Sequence, residues 1–208
     1  MLDSFIKRSK YYLISFVLLL IIFIFIRNFL GDIVLNMDLS FRTFINEHVV
    51  RESITPVVKI LTHLGGAAFL ISITILTLLF IKDKNCFINV SLNLSIVYVL
   101  SVIFKNFIKR ERPLDSLIPI PSDYSFPSGH TMCSVAFYGF LIYLVNKYVK
   151  NKILKVILNV LFVLSIVLVA FSRLYLGVHY FSDVIMGILL GILSLLMYIN
   201  YVKKEDII

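Results

Sequence analysis

The sequence predicts an all-α membrane protein: a bundle of six transmembrane helices, with an interfacial helix between the first and the second. Two observations carry this expectation. The 208-residue chain is 60% hydrophobic and only 15% charged, and its mean hydropathy of +0.97 lies outside the range of soluble domains. Apolar runs long enough to cross a hydrocarbon core, about 20 residues for ~30 Å, also recur along the whole chain. They lie near Tyr11–Ile26, Val57–Ile81, Cys86–Ile108, Ser128–Val145, Ile153–Phe171 and Val178–Val202. No repeat, low-complexity tract or flexible linker divides them, so residues 1–208 are read as a single membrane-embedded domain.

The first run lacks a small-residue cleavage site and ends at Arg27, which favours a retained helix over a signal peptide. Between the first two runs, Ile33, Met37, Phe41, Phe44, Ile45 and Val49 recur every three to four residues with charges between them, the pattern of a helix lying in the membrane interface. The second run contains Gly65–Ala68 (GGAA), and the last has Gly187 and Gly191 four residues apart; both invite close helix packing. The third connection, Lys109–Phe126, is rich in proline and charge and is read as an irregular loop. Cys86 and Cys133 fall in runs near opposite membrane faces, too far apart for a disulfide.

The net charge of +8 is spread through the connections rather than gathered on one soluble face, which argues against a nucleic-acid partner. Lys7, Arg8 and Lys10, Lys82 and Lys84, Lys147, Lys150 and Lys152, and Lys203 and Lys204 mark their segments as cytoplasmic. Both termini are then cytoplasmic, in a multi-pass protein of the plasma membrane, and the third and fifth connections meet on the extracytoplasmic face.

Those two connections hold the polar groups with chemical meaning. In KNFIKRERP, Lys105 and Arg112 bracket six residues and are followed by Pro113. In PSGH, Ser128 is a favoured N-cap, Gly129 removes the side chain that would block an anion, and His130 reaches whatever anion sits at the free first-turn amides. In SRLYLGVHYFSDV, Arg173 precedes His179, and Asp183 lies four residues further on, placed on one helix face to accept a hydrogen bond from the ring and leave its other nitrogen nucleophilic. Three cations, a turn of backbone donors and two histidines, one backed by a carboxylate, form a set for phosphoryl transfer. No carboxylate cluster or His/Cys spacing suits zinc or magnesium, so neither metal nor cofactor is expected. His63, near the outer end of the second run, has no assigned role, and His48 is read as surface.

At these residues the sequence resembles the type 2 phosphatidic acid phosphatase superfamily, whose signature K-x6-RP, PSGH and SR-x5-H-x3-D is matched in full between Lys105 and Asp183. The resemblance implies that His179 forms a phosphoenzyme and Asp183 orients it. It makes His130 the general acid and then base, has Lys105, Arg112 and Arg173 grip the phosphate, and has Ser128 and Gly129 assist. Vanadate-binding haloperoxidases share the signature, but they are larger and soluble. The expectation is a metal-independent hydrolase of a membrane lipid phosphomonoester or pyrophosphate. Undecaprenyl pyrophosphate ranks slightly first, because three clustered cations suit a pyrophosphate, with phosphatidylglycerophosphate or phosphatidic acid next. A lipid phosphotransferase and a headgroup-recognising transporter are the alternatives; the His179–Asp183 pair speaks against the transporter.

Overall fold

The computed structural model describes residues 10, 14–18, 21, 24, 31–81 and 84–204. Most of the first predicted span lies outside the described residues, as do Lys7, Arg8 and Lys82. Phe16, which is described, packs on Phe104 with ring centroids 5.3 Å apart. The described residues contain no strand. Helix α1 (Gly31–Phe44) runs into a π-helical turn (Ile45–Val49). Then follow α2 (Thr55–Leu61), a 3-10 turn (Thr62–Gly65), α3 (Ala67–Ile81), α4 (Lys84–Ile108), α5 (Gly129–Tyr148), α6 (Lys152–Tyr175) and α7 (Phe181–Lys204).

Helices α4, α6 and α7 are each long and apolar enough to cross a membrane, and α2 with α3 forms a fourth span if a pair bent by 55° is counted as one. The run expected as one helix from Val57 to Ile81 is therefore broken. Its break falls at Gly65 and Gly66, weak helix formers, and Gly66 is extended (φ −75°, ψ 146°). A side chain at Gly65 would stand 2.6 Å from Val169 Cγ1 and 2.8 Å from Ser134 Oγ, so the bend presses bare backbone against α5 and α6.

Helix α5 is not among the spans selected by composition, although it has 20 residues. It occupies the centre, with α4, α6 and α7 packed around it and Met132, Ala136, Phe137 and Phe140 fully enclosed. A helix surrounded by protein tolerates Ser134, Cys133 and Tyr138, whereas α6 turns Ile153, Val156, Val160 and Val167 outward and must be apolar there. Helix α7 reaches α5 at Gly187 and Gly191, where a Cβ would lie 2.9 Å from Ser128 O and 2.8 Å from Val135 Cβ. The C-terminal ends of α4 and α6 and the N-terminal ends of α5 and α7 share one end of this bundle.

The predicted helix after the first span is present as α1, with two of its charged residues facing inward. Asp38 (1% exposed) and Arg42 are buried against the bundle, while Ile33, Met37 and Phe44 point out. Residues 109–128 form the expected irregular loop, tied down by Ser125 N donating to Arg110 O (2.8 Å) and Leu117 N to Leu176 O (2.9 Å). Cys86 and Cys133 are buried free thiols, and His48 and His63 are exposed.

Candidate active site

His179 lies in the short loop between α6 and α7. Arg42 from α1 caps the end of α6 by donating to Leu174 O (3.2 Å) and Tyr175 O (3.4 Å), and Gly177 turns the chain with φ 68°. A Cβ at Gly177 would collide with the Arg42 guanidinium, so this turn needs glycine for space as well as for its dihedral. The loop then delivers the His179 ring, 3% exposed, to the bundle end.

Each ring nitrogen faces a different environment. Nε2 is 3.1 Å from Arg112 Nη1. A guanidinium only donates, so Nε2 must carry the lone pair and Nδ1 the proton. Nδ1 faces Asp183 Oδ2 at 3.7 Å, an ion-pair distance rather than a direct hydrogen bond, and the Ser125 hydroxyl stands 3.4 Å from Nδ1 and 2.5 Å from the same carboxylate oxygen. The expected direct bond is loosened because Asp183 is shared. Its Oδ2 also accepts from Tyr180 N (2.9 Å) and its Oδ1 from Arg110 Nη1 (2.6 Å). Arg110 in turn donates through Nη2 to Asp38 Oδ2 (2.6 Å), and Asp38 accepts from both the backbone N (2.9 Å) and the hydroxyl (2.6 Å) of Ser182. Asp38, carried by α1, thereby holds the first turn of α7.

The three predicted cations lie on the Nε2 side. Lys105, from the last turn of α4, donates to Tyr124 O and pairs with Asp123 Oδ2 at 3.1 Å. Arg112 donates to Asp123 Oδ1 (2.7 Å), Asp123 O (2.8 Å) and Val178 O (2.7 Å). Arg173, at the end of α6, donates to Thr62 Oγ1 (2.7 Å), and its buried Nε has no hydrogen-bond partner. An orphaned guanidinium donor beside two further cations fits a site built for an anion.

His130 and Gly129 open α5 next to these cations. A Cβ at Gly129 would lie 3.0 Å from Ser101 Oγ and 3.6 Å from Lys105 Cε, so glycine keeps the approach open. Ser128 stands at the N-cap position, yet its hydroxyl pairs with Thr131 Oγ1 (2.9 Å) instead of capping an amide, which leaves the first-turn donors unclaimed by that side chain. Lys105, Arg112, Gly129, His130, Arg173 and His179 all line one cavity of about 780 Å³, and Ser128 and Asp183 sit just behind its wall. The cavity continues between α3 and α4 along Leu70, Ile71, Leu94, Tyr98 and Val102. His63 is not part of its lining.

Burial, reinforced by the charges of Arg173 and Arg112 and opposed by Asp183, pushes the His179 ring down to about 3. Burial thus favours the neutral ring, whose Nε2 accepts from Arg112 at the cavity wall. Burial works against the charge on Arg110, but Asp183 and Asp38 outweigh it and raise Arg110 above the ordinary arginine value, so the bridge between the two carboxylates stays ionic.

Arg110, Asp38, Ser125 and Asp123 were not singled out from the sequence. Arg110 lies inside the segment that holds Lys105 and Arg112, so a third cation there was visible. Its partner Asp38 lies 72 positions away, so no local spacing links the two.

Comparison with known proteins shows which family the chain belongs to. Phosphatidylglycerophosphatase B of Bacillus subtilis (strain 168) is 30% identical over 149 residues, 69% of this chain and 73% of that protein. Undecaprenyl-diphosphatase of Sulfolobus acidocaldarius is 29% identical over 190 residues, 88% and 87% of the two chains. The crystal structure of a transmembrane PAP2 type phosphatidylglycerolphosphate phosphatase from Bacillus subtilis superposes with a TM-score of 0.80 at 25% identity, covering 91% of this chain and 96% of that one. Aquifex aeolicus LpxE shares the fold, with a TM-score of 0.64 over 78% of this chain and 93% of its own. The PAP2 superfamily profile matches residues 87–207, the stretch that holds both histidines, Asp183 and all three cations; the chain belongs to the PAP2 superfamily.

Proposed function

We propose that this PAP2 lipid phosphatase hydrolyses a lipid pyrophosphate or phosphomonoester through a phosphohistidine on His179, at the extracytoplasmic end of a six-span bundle whose termini are cytoplasmic. The observation that carries the reading is the buried His179 ring, whose Nε2 meets Arg112 at the wall of a cavity that Lys105 and Arg173 also line. Those cations hold the equatorial oxygens while Nε2 attacks phosphorus and the bond to the leaving oxygen breaks. His130 gives that oxygen a proton. His130 then takes a proton from water as the water oxygen attacks phosphorus, the P–N bond breaks, and inorganic phosphate leaves with His179 neutral again. Asp183, steadied by Arg110, supports the positive charge on the ring in the phosphoenzyme. No metal enters these steps.

Two features support a lipid substrate. The apolar extension between α3 and α4 lets hydrocarbon chains remain at bilayer depth while the phosphate meets the cations. The outward apolar face of α1 suits a helix lying at the interface beside the site. Undecaprenyl pyrophosphate ranks first, since three cations match the larger charge of a diphosphate and the undecaprenyl-diphosphatase relative aligns over most of this chain. The likeness to phosphatidylglycerophosphate phosphatases in sequence and fold favours phosphatidylglycerophosphate as the second reading. The test is kcat/KM for undecaprenyl pyrophosphate, phosphatidylglycerophosphate and phosphatidic acid in matched detergent. Undecaprenyl pyrophosphate is expected to lead. A preference for phosphatidylglycerophosphate above about tenfold, ~1.4 kcal/mol of transition-state binding, reverses the ranking.

A further inference from the structure

The two cations that the phosphate would need are already engaged by a carboxylate from the chain itself. Asp123 places Oδ2 3.1 Å from Lys105 Nζ and Oδ1 2.7 Å from Arg112 Nη2. The same guanidinium touches His179 Nε2 through Nη1, so the carboxylate lies beside the nucleophile, in the place suited to phosphoryl oxygens. The partners differ in their freedom to leave. The side chains of Lys105 and Arg112 are 8% and 6% exposed and are also held by main-chain carbonyls, whereas that of Asp123 is 52% exposed and sits on an irregular loop after Pro121 and Ser122. Moving Asp123 outward costs little desolvation; moving either cation means exposing a residue built into the wall.

We propose that Asp123 is the resident anion of the phosphate cradle, displaced by the incoming phosphoryl group and returning to expel inorganic phosphate, so that this residue sets phosphate affinity and product release. The idea rests on the phosphatase reading above. Without a counter-ion, Lys105, Arg112 and Arg173 would repel one another in a buried space, and a single carboxylate offsets part of that repulsion between turnovers. A phosphate brings more charge and more acceptor oxygens than a carboxylate, so it wins the exchange when it binds, including at the unpartnered Nε of Arg173, which Asp123 leaves unused. Partial burial opposes ionisation of Asp123, but Lys105 and Arg112 hold its carboxyl below the usual carboxylate range, so the competitor is charged wherever the enzyme works.

The test compares purified full-length wild type, Asp123→Asn and Asp123→Glu in detergent, using phosphatidic acid as substrate and inorganic phosphate as the probe. In D123N the inhibition constant for inorganic phosphate is expected to fall about tenfold and KM to fall with it, while kcat stays level or drops as product release slows. D123E, which restores the charge, should return the inhibition constant towards wild type. If D123N fails to give a monodisperse protein, D123S removes the charge at the same exposed position and is read in the same way. Equal inhibition of wild type and the neutral variant, or weaker inhibition of the variant, overturns the proposal and leaves the phosphatase reading standing. A wild-type protein that neither releases phosphate from lipid phosphates nor responds to inorganic phosphate overturns the phosphatase reading itself.

Discussion

The two sides of the His179 ring are built in opposite ways. On the Nδ1 side, Asp183, Ser125, Arg110, Asp38 and Ser182 form a closed chain in which one guanidinium bridges two fully buried carboxylates and both serine hydroxyls donate to them. On the Nε2 side, two of the three cations share one half-exposed aspartate, and the third, Arg173, has a buried guanidinium nitrogen without a partner. A closed network fixes geometry and resists exchange, while surplus donors aimed at a cavity store binding capacity. The ring is thus a boundary between a part that positions and a part that binds, and substitutions on its two sides should separate in kinetics.

The largest effect comes from removing the boundary. His179→Ala should lower kcat/KM by at least about a thousandfold while the purified protein keeps its elution volume and helical content, because in the proposed mechanism the P–N bond forms on this ring. Turnover at a comparable rate in H179A would end the phosphohistidine reading.

A smaller effect should follow on the positioning side. Arg110→Gln removes the shared cation from two buried carboxylates and frees Asp183 to reorient. The expected result is a loss of about 10- to 100-fold in kcat with KM changed less than about threefold, and partial recovery in Arg110→Lys. A loss appearing in KM alone would place Arg110 with the binding cations and erase the contrast drawn above.

How well each side can be read from sequence follows from the range of its interactions. His130, His179, Asp183 and the three cations stand out because short segments place them at helix ends, where local spacing alone signals chemistry. The closed network does not stand out, because Asp38 and Arg110 meet only after α1 folds back on α7, and an inward-facing Asp38 looks in sequence like any charge on an amphipathic helix. Asp123 is hidden for a related reason: it sits in a loop of mixed charge whose path only the fold defines. The span boundaries show the same limit. Lipid-facing α6 advertises itself through apolar residues, whereas central α5 owes its place to neighbours, and the bend at Gly65 and Gly66 comes with the close approach of Gly65 to Val169 and Ser134.

The smallest expected effect is that of acidification, which asks whether the ring is held neutral as the buried geometry requires. In the proposed mechanism the nucleophile is the neutral ring, so activity is lost as pH falls through the pKa of His179 in the free enzyme, which kcat/KM reports. An ordinary histidine near 6.5 would be almost wholly protonated at pH 5, and kcat/KM would fall about 30-fold from its neutral-pH plateau. Burial together with Arg173 and Arg112 pushes His179 down to about 3, which leaves the lone pair intact at pH 5. Once corrected for ionisation of the substrate phosphate and for any gain from protonating His130, the proposed general acid, the limb due to His179 should therefore lower kcat/KM less than about threefold between pH 7 and pH 5. Because Asp123 is also held below the usual carboxylate range, its competition for the cations should not change over that interval. An acid limb centred near 6.5 would mean that the ring is wetter than the Arg112 and Asp183 contacts allow, and that the positioning side is not closed.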